Sequence, residues 1–590
     1  MIGGCALNEK EMLINKTNYM RLAMWLFVVL IGISAYTFIL AGERYGGKYY
    51  LGFILIIPFG ALAIFFRRKM LRYKALYSIK NSWGNKDSRK RKFEDIKKLY
   101  EYIKDENKEQ FFIDDQTWDD FTMNKVFDEV DRTFSTPGEQ VLYNVLRAPK
   151  LNEAELVKRK SLLKFFKENS ELREKIQVEL YYLGRQTKNR ITDLLWGELP
   201  KKSSVSILFN VMALLPIIIL LLIPLMGVKI GVYIVFVFII NMYISYKFRN
   251  EISAHVEAMS YLSAVVNTGK KLGEIYTQEL SGYTESLKFN LKQIKASKSA
   301  SFLGNIEADV IIQYFNILFL TKERRFFKVI GELTKYKKEL QNAYITIGEI
   351  DALISIASYR KGLSFYVEPE FVSGGRILEI NNLMHPLVEN PIANSISINN
   401  QGIVLTGSNM SGKSTFLRTI GVNALFAQTI ATCLAKGYKG SCFKILSSIS
   451  PNDDILQGKS YYLGEAEAVL RIINNCEDNI PSLCIIDEIF RGTNPIERIS
   501  ASAEILDYLI SHNSMPIVAT HDLELTEIVD KSYECYYFTE DVGEDGLQFD
   551  YLIRKGVSPT RNAIKLLKYL GYPDNIIDNT YKRIDKLFIK

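Results

Sequence analysis

The most prominent pattern in this 590-residue chain is a pair of long apolar runs near its N-terminus. Residues 21–41 contain no charged side chain after Arg21, and residues 49–66 form a second apolar run after a short loop. Each run is long enough to cross a bilayer as a helix. A cleaved signal peptide is the alternative for the first run, but its apolar part is long and the second run follows closely. The pattern predicts an N-terminal transmembrane hairpin over residues 1–66.

A second apolar block covers residues 205–246, where two runs are separated only by residues 227–229. A hairpin buried in a protein core is the alternative, but two near-continuous apolar runs of this length favour the membrane. Asn210 and Asn241 are the only strongly polar side chains inside the block, and they could form hydrogen bonds between helices. No ionisable side chain lies in the middle of either run, which weakens the case for ion or proton transport.

Basic residues mark one side of both hairpins. Residues 67–98, directly after the first hairpin, contain thirteen Lys or Arg and three acidic residues. Basic residues also flank the 205–246 block, whose tip carries a single Lys229. The positive-inside rule therefore predicts a multi-pass protein of the cell membrane, with both flanks and the remaining domains in the cytoplasm. Contact with anionic membrane lipid extends this interpretation, and a DNA-binding patch so close to the membrane is the less favoured use of these charges.

The polar remainder of the chain changes character near residue 367. Residues 99–200 and 250–362 have the apolar spacing of helices, whereas apolar and polar residues alternate as in strands from Val367 onward. The pattern predicts an α/β domain joined to an all-α core or lever domain, with two transmembrane hairpins. The predicted segments are the hairpin 1–66, a basic juxtamembrane linker 67–110, a helical core 111–204, the hairpin 205–246, a second helical part 247–365 and the α/β domain 366–590.

The most specific motif lies at the start of the α/β region. A short apolar run at residues 403–406 leads into Gly407-x-x-x-x-Gly412-Lys413-Ser414, and the next twenty residues lack proline and are predicted to form a helix. Strand, glycine loop and helix in this order form a phosphate-binding loop, in which backbone N–H groups and the helix N-terminus face an anion. A plain glycine turn is disfavoured because the full pattern occurs in the expected context. The predicted nucleotide-binding residues are Gly407, Ser408, Asn409, Met410, Ser411, Gly412, Lys413, Ser414 and Thr415.

The residue types in and after this loop suggest ATP chemistry. Lys413 is expected to reach the β and γ phosphates of ATP, and the Ser414 hydroxyl to coordinate Mg²⁺. An apolar run at residues 482–488 ends in two carboxylates. Asp487 suits a magnesium-binding role, and Glu488 suits polarising the attacking water. These residues predict an ATP hydrolase that uses ATP and Mg²⁺.

Two further positions complete the predicted site. His521 lies at the end of another apolar run, residues 516–522. A lone histidine is usually structural, but one that follows the Asp-Glu strand can sense the γ phosphate, so the predicted catalytic residues are Lys413, Glu488 and His521. Ser460 opens a predicted helix that also contains Glu465. It is either a helix cap or part of a signature that meets the ATP of a partner subunit.

Composition adds only weak constraints. The net charge of +8, from 74 basic and 66 acidic residues, permits binding to nucleic acid or anionic lipid without demonstrating either. The six cysteines contain no C-x-x-C pair and fit a reducing compartment. Together with four distant histidines they offer no zinc spacing, so the Mg²⁺ that accompanies ATP is the one metal expected.

The order of these motifs resembles the ATPase domain of the MutS family. Residues 407–421 are similar to the family's phosphate loop, with Ser408 where Pro is typical and Ser411 where Gly is typical. Residues 487–494 are similar to the family's Asp-Glu element and the loop after it, with Phe490 in place of a usual Gly. The segments ATHD and SYYLGE resemble two further elements of the same domain.

The resemblance covers roughly residues 110–200 and 250–590. Residues 113–166 resemble the start of the family's core and lever domain, and residues 549–577 resemble the strand and helical tail through which family members dimerise. Where the family has its mismatch-reading and connector domains, this chain has a hairpin and a basic linker. The second hairpin falls near the place where the family inserts its DNA clamp. The resemblance therefore predicts a membrane-anchored member without the mismatch-recognition domain.

This resemblance implies a homodimer that encloses two ATP molecules and couples hydrolysis to a conformational change. It assigns nucleotide chemistry to Lys413, Ser414, Asp487, Glu488 and His521. It also places Ser460 against the phosphates of the partner's ATP. Binding of mismatched or branched DNA is implied as well, but the sequence contains no base-reading motif. Retained DNA binding should therefore depend on the phosphate backbone and on salt.

Two other classes of function remain open at the level of sequence. An ATP-driven membrane transporter is one, because the signature and phosphate loop have the order seen in ABC ATPases. Four spans per chain and the lack of intramembrane charge speak against it. An ATP-gated membrane scaffold that binds a protein partner without DNA is the other. Phosphate-loop chemistry alone separates none of these.

Overall fold

The structure is a computed structural model, and its chain forms two compact units. The first unit comprises Met1–Tyr102, Asp131–Leu142 and Leu163–Gly362, and the second comprises Ile103–Val130, Tyr143–Leu162 and Leu363–Lys590. The residues described are 2–186, 190–198, 205–292, 294, 310–408, 411–449, 461–476, 479–490, 494–529, 531–543, 546–557, 567 and 569–588.

The described part of the first unit contains only helices. Its α-helices are Ile2–Tyr45, Ile56–Ser82, Phe93–Ile96, Ser170–Leu183, Ile191–Trp196, Val205–Met226, Val232–Gly273, Ser281–Leu291, Val310–Leu318, Thr321–Lys335 and Lys337–Gly362, and its 3₁₀ helices are Gly47–Leu55 and Val228–Gly231. Three more helices contain a boundary between the units in their sequence: Lys98–Glu106, Thr136–Arg147 and Glu153–Glu168.

Among the described residues, four helical segments of the first unit are long and apolar enough to cross a membrane. They are Lys10–Tyr45, Gly47–Ser82, Ile207–Met226 and Lys229–Phe248. The apolar cores of these segments coincide with the four runs seen in the sequence. The segments are candidate membrane spans, because length and composition alone identify them.

The two asparagines of the second hairpin bond to a segment outside it. Arg324 Nε donates to Asn210 Oδ1 at 2.8 Å, and Asn241 Nδ2 donates to the carbonyl oxygen of Leu318 at 2.7 Å. Both asparagines therefore form the predicted hydrogen bonds between helices, and residues 310–335, far along the chain, supply the partners.

Two arginines of the basic flank are held inside the first unit. Arg89 Nη2 donates to Glu139 Oε1 at 2.6 Å, and Arg91 Nε donates to Asp131 Oδ2 at 2.8 Å. The carboxylate of Asp131 is fully buried. These arginines therefore form ion pairs within the helical unit.

The second unit is a mixed α/β structure with two sheets. Its strands are β1 Glu370–Phe371, β2 Ile377–Leu383, β3 Asn394–Asn399, β4 Gly402–Thr406, β5 Gly437–Gly440, β6 Lys444–Ser448, β7 Ser482–Asp487, β8 Ser514–Ala519, β9 Tyr533–Gly543 and β10 Gly546–Lys555. Its helices are Asp115–Asp120, Met123–Val130, Lys413–Ile430, Tyr461–Asn475, Pro495–Ser511, Leu525–Ile528 and Asp574–Phe588.

The larger sheet has the order β10-β9-β4-β8-β7-β6, and the smaller has the order β1-β5-β2-β3. In the larger sheet the strands from β9 to β6 pair in parallel, and β10 is antiparallel to β9. Strands β4, β6, β7 and β8 are buried along their whole length. Parallel strands buried on both faces are expected to be largely apolar, as β4, β7 and β8 are, whereas β6 also buries Lys444, Ser447 and Ser448.

Residues 103–130 pack into the second unit, whereas the sequence placed most of them in a separate helical core. Arg418 Nε donates to the carbonyl oxygen of Asp120 at 2.7 Å, and Ser447 Oγ donates to Asp120 Oδ2 at 2.7 Å. A Cβ atom at Gly421 would lie 2.2 Å from Cζ of Phe121, so only glycine allows this close approach. These long-range contacts explain why the two divisions of the chain differ.

Candidate nucleotide site

The predicted motifs meet at one edge of the larger sheet. β4 and β7 both pair in parallel with β8, with Leu405 opposite Ala519 and Asp487 opposite Ala519. The carboxyl ends of the three strands therefore lie side by side. In open α/β sheets, ligands bind in the crevice at this edge.

The loop after β4 has the backbone that a phosphate-binding loop requires. Gly407 and Gly412 have φ angles of 145° and 106°, which favour glycine. A Cβ atom at Gly407 would also lie 3.0 Å from Ser411 Oγ and 3.1 Å from the carbonyl oxygen of Phe538. The helix Lys413–Ile430 begins directly after Gly412. Its N-terminus therefore points orphan N–H groups toward the crevice, where they attract an anion.

Lys413 is buried and reaches back across the loop. Its Nζ atom donates to the carbonyl oxygens of Gly407 and Ser408, both at 2.7 Å. The side chain is 5% exposed, so a phosphate that enters the loop meets an ammonium group held at the loop's centre. A positive charge desolvated in this way is an effective partner for phosphate oxygens.

Two oxygen groups suited to Mg²⁺ lie in contact. Ser414 Oγ donates a short hydrogen bond to Asp487 Oδ2. A hydroxyl and a carboxylate next to a phosphate loop are the hard oxygen ligands that Mg²⁺ prefers. The pair therefore fits the predicted metal role, and Ser414 and Asp487 would hold the ion with the phosphates of ATP.

Glu488 occupies an unusual backbone conformation at the end of β7. Its φ angle is 65°, which is uncommon for a residue with a side chain. Its backbone N–H donates to the carbonyl oxygen of Ala519 at 2.9 Å, which fixes the strand end. Strained positions of this kind cluster at functional sites. Glu488 lines the same cavity as Lys413 and His521.

A cavity of about 1080 Å³ joins these groups. Eight of the predicted residues line it: Ser408, Gly412, Lys413, Ser414, Thr415, Asp487, Glu488 and His521. Gly407 and Ser411 belong to the loop itself, and the Ser411 hydroxyl is buried with no hydrogen-bond partner among the described residues. A buried unpaired hydroxyl fits a ligand oxygen. Asn409, Met410 and Ser460 lie outside the described residues.

The cavity has a second wall that the motifs did not predict. His385 and Asn394 come from the smaller sheet region, and Tyr551 comes from β10. Asn394 Nδ2 donates to the carbonyl oxygen of Tyr551 at 2.9 Å, and the N–H of Ile553 donates to Asn394 Oδ1 at 2.9 Å. The asparagine thus ties β3 to β10 across the mouth of the site. No local sequence pattern relates these residues, because Tyr551 lies more than 150 positions after His385 and Asn394.

Burial keeps His385 neutral. Burial, together with the nearby Arg418, lowers the pKa of His385 to about 4. The N–H of Leu387 donates to His385 Nδ1 at 3.2 Å, so the proton of the neutral ring lies on Nε2. A neutral imidazole with a free donor suits contact with an uncharged part of a ligand.

A salt bridge supports the loop after β8. Arg498 Nε donates to Asp522 Oδ2 at 2.8 Å, and the N–H of Asp522 donates to Thr520 Oγ1 at 3.0 Å. The hydrogen bond to Asp522 raises the pKa of Arg498 further. His521 lies between Thr520 and Asp522, so this pair of contacts positions the histidine at the cavity.

The phosphate loop also contacts an acid that the sequence did not indicate. Ser408 Oγ donates a short hydrogen bond to Glu540 Oε2, on β9. Burial raises the pKa of Glu540, while the charge of Lys413 lowers it. Ser408 occupies the position where Pro is typical in the MutS family, and a proline side chain cannot donate a hydrogen bond to Glu540. A carboxylate at the loop opposes the negative charge of an incoming triphosphate.

We expect Glu540→Gln to bind ATP about fivefold more tightly at neutral pH, because removing one like charge near the phosphates is worth on the order of 1 kcal/mol. Isothermal titration or fluorescent-nucleotide binding measures the change. Acidification should narrow the difference between the two proteins, since a proton neutralises Glu540 in the original. Glu534→Gln, at the other end of β9, serves as control and should leave affinity unchanged. Equal affinity of Glu540→Gln and the original protein would remove Glu540 from the site.

The fold and the site together have the geometry typical of an α/β phosphate-loop domain. Its phosphate pocket consists of a central parallel strand, a loop with two glycines of positive φ and a buried lysine. The acidic end of β7 lies on the other side of β8 from β4.

Comparison with known proteins finds similarity to the MutS family in part of this chain. Residues 403–588 match the family model for MutS domain V. DNA mismatch repair protein MutS of Petrotoga mobilis is 32% identical over 276 residues, which are 44% of this chain and 33% of that protein. MutS of Thermotoga petrophila is 31% identical over 340 residues, which are 54% of this chain and 42% of that protein. The match thus spans about a third to two fifths of each relative's length.

Proposed function

We propose that this chain is a membrane-anchored MutS-like ATPase that binds and hydrolyses ATP as a dimer and couples hydrolysis to conformational change. The observation that carries the proposal is the meeting of Lys413, Asp487 and Glu488 at one sheet edge, inside the region that matches MutS domain V. The support is strongest for nucleotide binding, because the phosphate loop is described by both geometry and comparison.

In this proposal each side chain has one task. Lys413 neutralises the β and γ phosphates, and Ser414 with Asp487 holds Mg²⁺, which supplies charge stabilisation when bound. Glu488 accepts a hydrogen bond from the attacking water and orients it toward the γ phosphate. His521, positioned by Thr520 and Asp522, donates a hydrogen bond to the γ phosphate. This bond is lost when the γ phosphate is hydrolysed.

The dimer is proposed from the MutS relationship. Ser460 of each subunit would contact the phosphates held by the other, and the C-terminal residues 549–577 would contribute to the dimer. Opening and closing of this arrangement would then follow the nucleotide cycle. Bound ATP stabilises the closed form only to the extent that it binds that form more tightly.

DNA is the first candidate for the ligand coupled to ATP, because the similar proteins are named for DNA mismatch repair. If the coupling is retained here, contacts to the phosphate backbone should dominate it and weaken as salt increases. A transporter or a DNA-independent scaffold would use the same ATPase without this coupling.

ATP turnover of the detergent-purified protein tests the proposal. It is measured without DNA and with matched, mismatched and branched duplexes, each at low and at high salt. Stimulation that fades with salt supports DNA coupling, and a preference for mismatch or branch identifies the substrate. Equal turnover without DNA and with all three duplexes contradicts DNA coupling and points to protein or lipid partners.

The membrane proposal rests on the four candidate spans, and a truncation tests it. Removing residues 1–66 should leave the protein in the membrane fraction after carbonate extraction, because Ile207–Met226 and Lys229–Phe248 remain. Adding Ile217→Asp and Phe236→Asp to the truncation should release it, since each charge near the centre of a span costs roughly 2.5–3.5 kcal/mol. Both side chains are exposed on the protein, so a folded product is expected. A soluble product from the simple truncation would contradict the second hairpin.

A further inference from the structure

The described segment 310–335 runs alongside the second hairpin. Asn241 Nδ2 donates to the carbonyl oxygen of Leu318 at 2.7 Å, and Ser245 Oγ donates to Glu323 Oε1 at 2.8 Å. The rings of Phe238 and Tyr314 lie 6.1 Å apart. Residue numbers rise together in these three pairs, so the segment and the second hairpin helix run in the same direction.

The segment also packs against the first helix of the hairpin. Arg324 Nε donates to Asn210 Oδ1 at 2.8 Å, and the rings of Phe209 and Phe327 lie 5.8 Å apart. Phe209 and Phe327 are both buried. The hairpin and the segment therefore form one packed assembly of four helices within the first unit.

These pairs place the segment at membrane depth if the hairpin spans. Phe238 lies in the middle of the candidate span Lys229–Phe248. It is ten residues from Phe248, or about 15 Å along a helix, which is half of a hydrocarbon core roughly 30 Å thick. Tyr314 shares that depth because it contacts Phe238. Ser245, the partner of Glu323, is three residues from Phe248 and so lies near the cytoplasmic boundary.

The break between the two helices of the segment is built to tolerate this depth. Helix Val310–Leu318 ends, Leu320 has a φ angle of 45°, and helix Thr321–Lys335 begins. Non-helical backbone in hydrocarbon is tolerated only where its polar groups are paired within the protein. The fully buried Asn241 supplies such a pairing by donating to the carbonyl oxygen of Leu318.

The outer face of the first helix is apolar and exposed. Tyr314 and Phe315 are 58% and 60% exposed, and residues 310–318 contain no charged side chain. In water, two adjacent exposed aromatic rings do not gain the free energy that burial of their apolar surface would provide. Acyl chains would cover them at the depth assigned by Phe238. The charged residues of the segment begin only at Lys322, toward the cytoplasmic end.

From these observations we propose that residues 314–320 form a membrane-embedded element in the cytoplasmic leaflet, with Tyr314 and Phe315 facing lipid acyl chains. This inference rests on the proposed membrane location of the second hairpin. The occupant of the exposed face is lipid, because that face continues the lipid-facing surface of the hairpin. The chain continues from this element through helices Thr321–Lys335 and Lys337–Gly362 to Leu363, where the last segment of the second unit begins. The bilayer would thereby contact a segment two helices before Leu363.

Cysteine labelling of the full-length protein in vesicles tests the element. In a background with the six native cysteines replaced, Phe315→Cys is compared with Leu221→Cys in the span and with Phe289→Cys, an exposed phenylalanine of helix Ser281–Leu291. All three native side chains are at least 60% exposed on the protein. A membrane-impermeant maleimide added to both sides should modify Phe289→Cys, and modify Phe315→Cys and Leu221→Cys at least about tenfold more slowly, because charged reagents are excluded from hydrocarbon.

The outcomes separate the inference from the membrane proposal. Rapid labelling of Phe315→Cys with slow labelling of Leu221→Cys overturns the membrane-embedded element and keeps the hairpin. Rapid labelling at both sites overturns the hairpin and the element together. Slow labelling at both sites supports the element only if acyl chains are the shield. A fluorophore is therefore attached at residue 315 in detergent, and the labelled protein is reconstituted into vesicles. Nitroxides on the lipid acyl chains should then quench its fluorescence. If a fluorophore at residue 221 is quenched and one at 315 is not, the shield is protein and the element is overturned.

Discussion

Lys413→Ala is expected to lose ATP binding, with an affinity at least about 100-fold weaker than that of the original protein. Lys413 is buried, and its ammonium group lies at the centre of the phosphate loop, where it donates to the carbonyl oxygens of Gly407 and Ser408. In the nucleotide complex it would instead donate to two phosphates. Hydrogen bonds to charged groups contribute about 1.5–3 kcal/mol each, so the loss of two is about 3 kcal/mol or more, which is at least about 100-fold in affinity.

Nucleotide titration by calorimetry, with thermal unfolding of the same samples, measures this prediction. Lys436→Ala is the matched control, because this lysine lies in the same unit and is exposed. It should bind ATP as the original protein does. Undiminished affinity of Lys413→Ala, in a sample that unfolds cooperatively, would show that the phosphate loop is not the nucleotide site.

The core of the site was predictable from sequence because consecutive residues determine it. A strand, a loop with two glycines at fixed spacing and a helix that begins at Lys413 require only local rules. Asp487 and Glu488 were found for a similar reason, since they end a buried apolar run. Parallel pairing through β8 then brings the strand ends together. The chemical roles of these residues remain predictions that the variants test.

The second wall of the cavity was not predictable by the same reasoning. His385, Asn394 and Tyr551 belong to no motif, and they meet only when the two sheets of the second unit have folded. Glu540 is a further case, because nothing in the local pattern of β9 relates it to Ser408. Contacts between residues more than 100 positions apart depend on packing, which apolar periodicity does not encode.

Domain boundaries show the same limit within each unit. Residues 113–130 have plain helical patterns, yet Phe121 fits against Gly421, and Asp120 accepts a hydrogen bond from Ser447. In the first unit the fully buried Asp351 accepts from the N–H and hydroxyl of Ser135, directly before helix Thr136–Arg147. Helical periodicity identified the helices, but it carried no information about these partners.

The second large effect is expected at Glu488. Glu488→Gln should bind ATP with nearly the original affinity and hydrolyse it at least about 100-fold more slowly, because a general base contributes about 10²–10⁴-fold to such a reaction. Glutamine keeps the shape and the backbone conformation at φ 65° but cannot take a proton from water. The amide also removes a negative charge near the γ phosphate, so affinity should not decrease.

Single-turnover hydrolysis and equilibrium nucleotide binding, measured on the same preparation, separate these effects. Glu504→Gln, an exposed glutamate in helix Pro495–Ser511, is the control and should retain turnover. The ATP-bound form of Glu488→Gln should also accumulate as a dimer in size-exclusion chromatography, since the state that hydrolysis normally ends now persists. Unchanged turnover would exclude Glu488 as the base. Loss of binding together with turnover would assign it to nucleotide or metal binding, because only a group that acts after binding reduces hydrolysis alone.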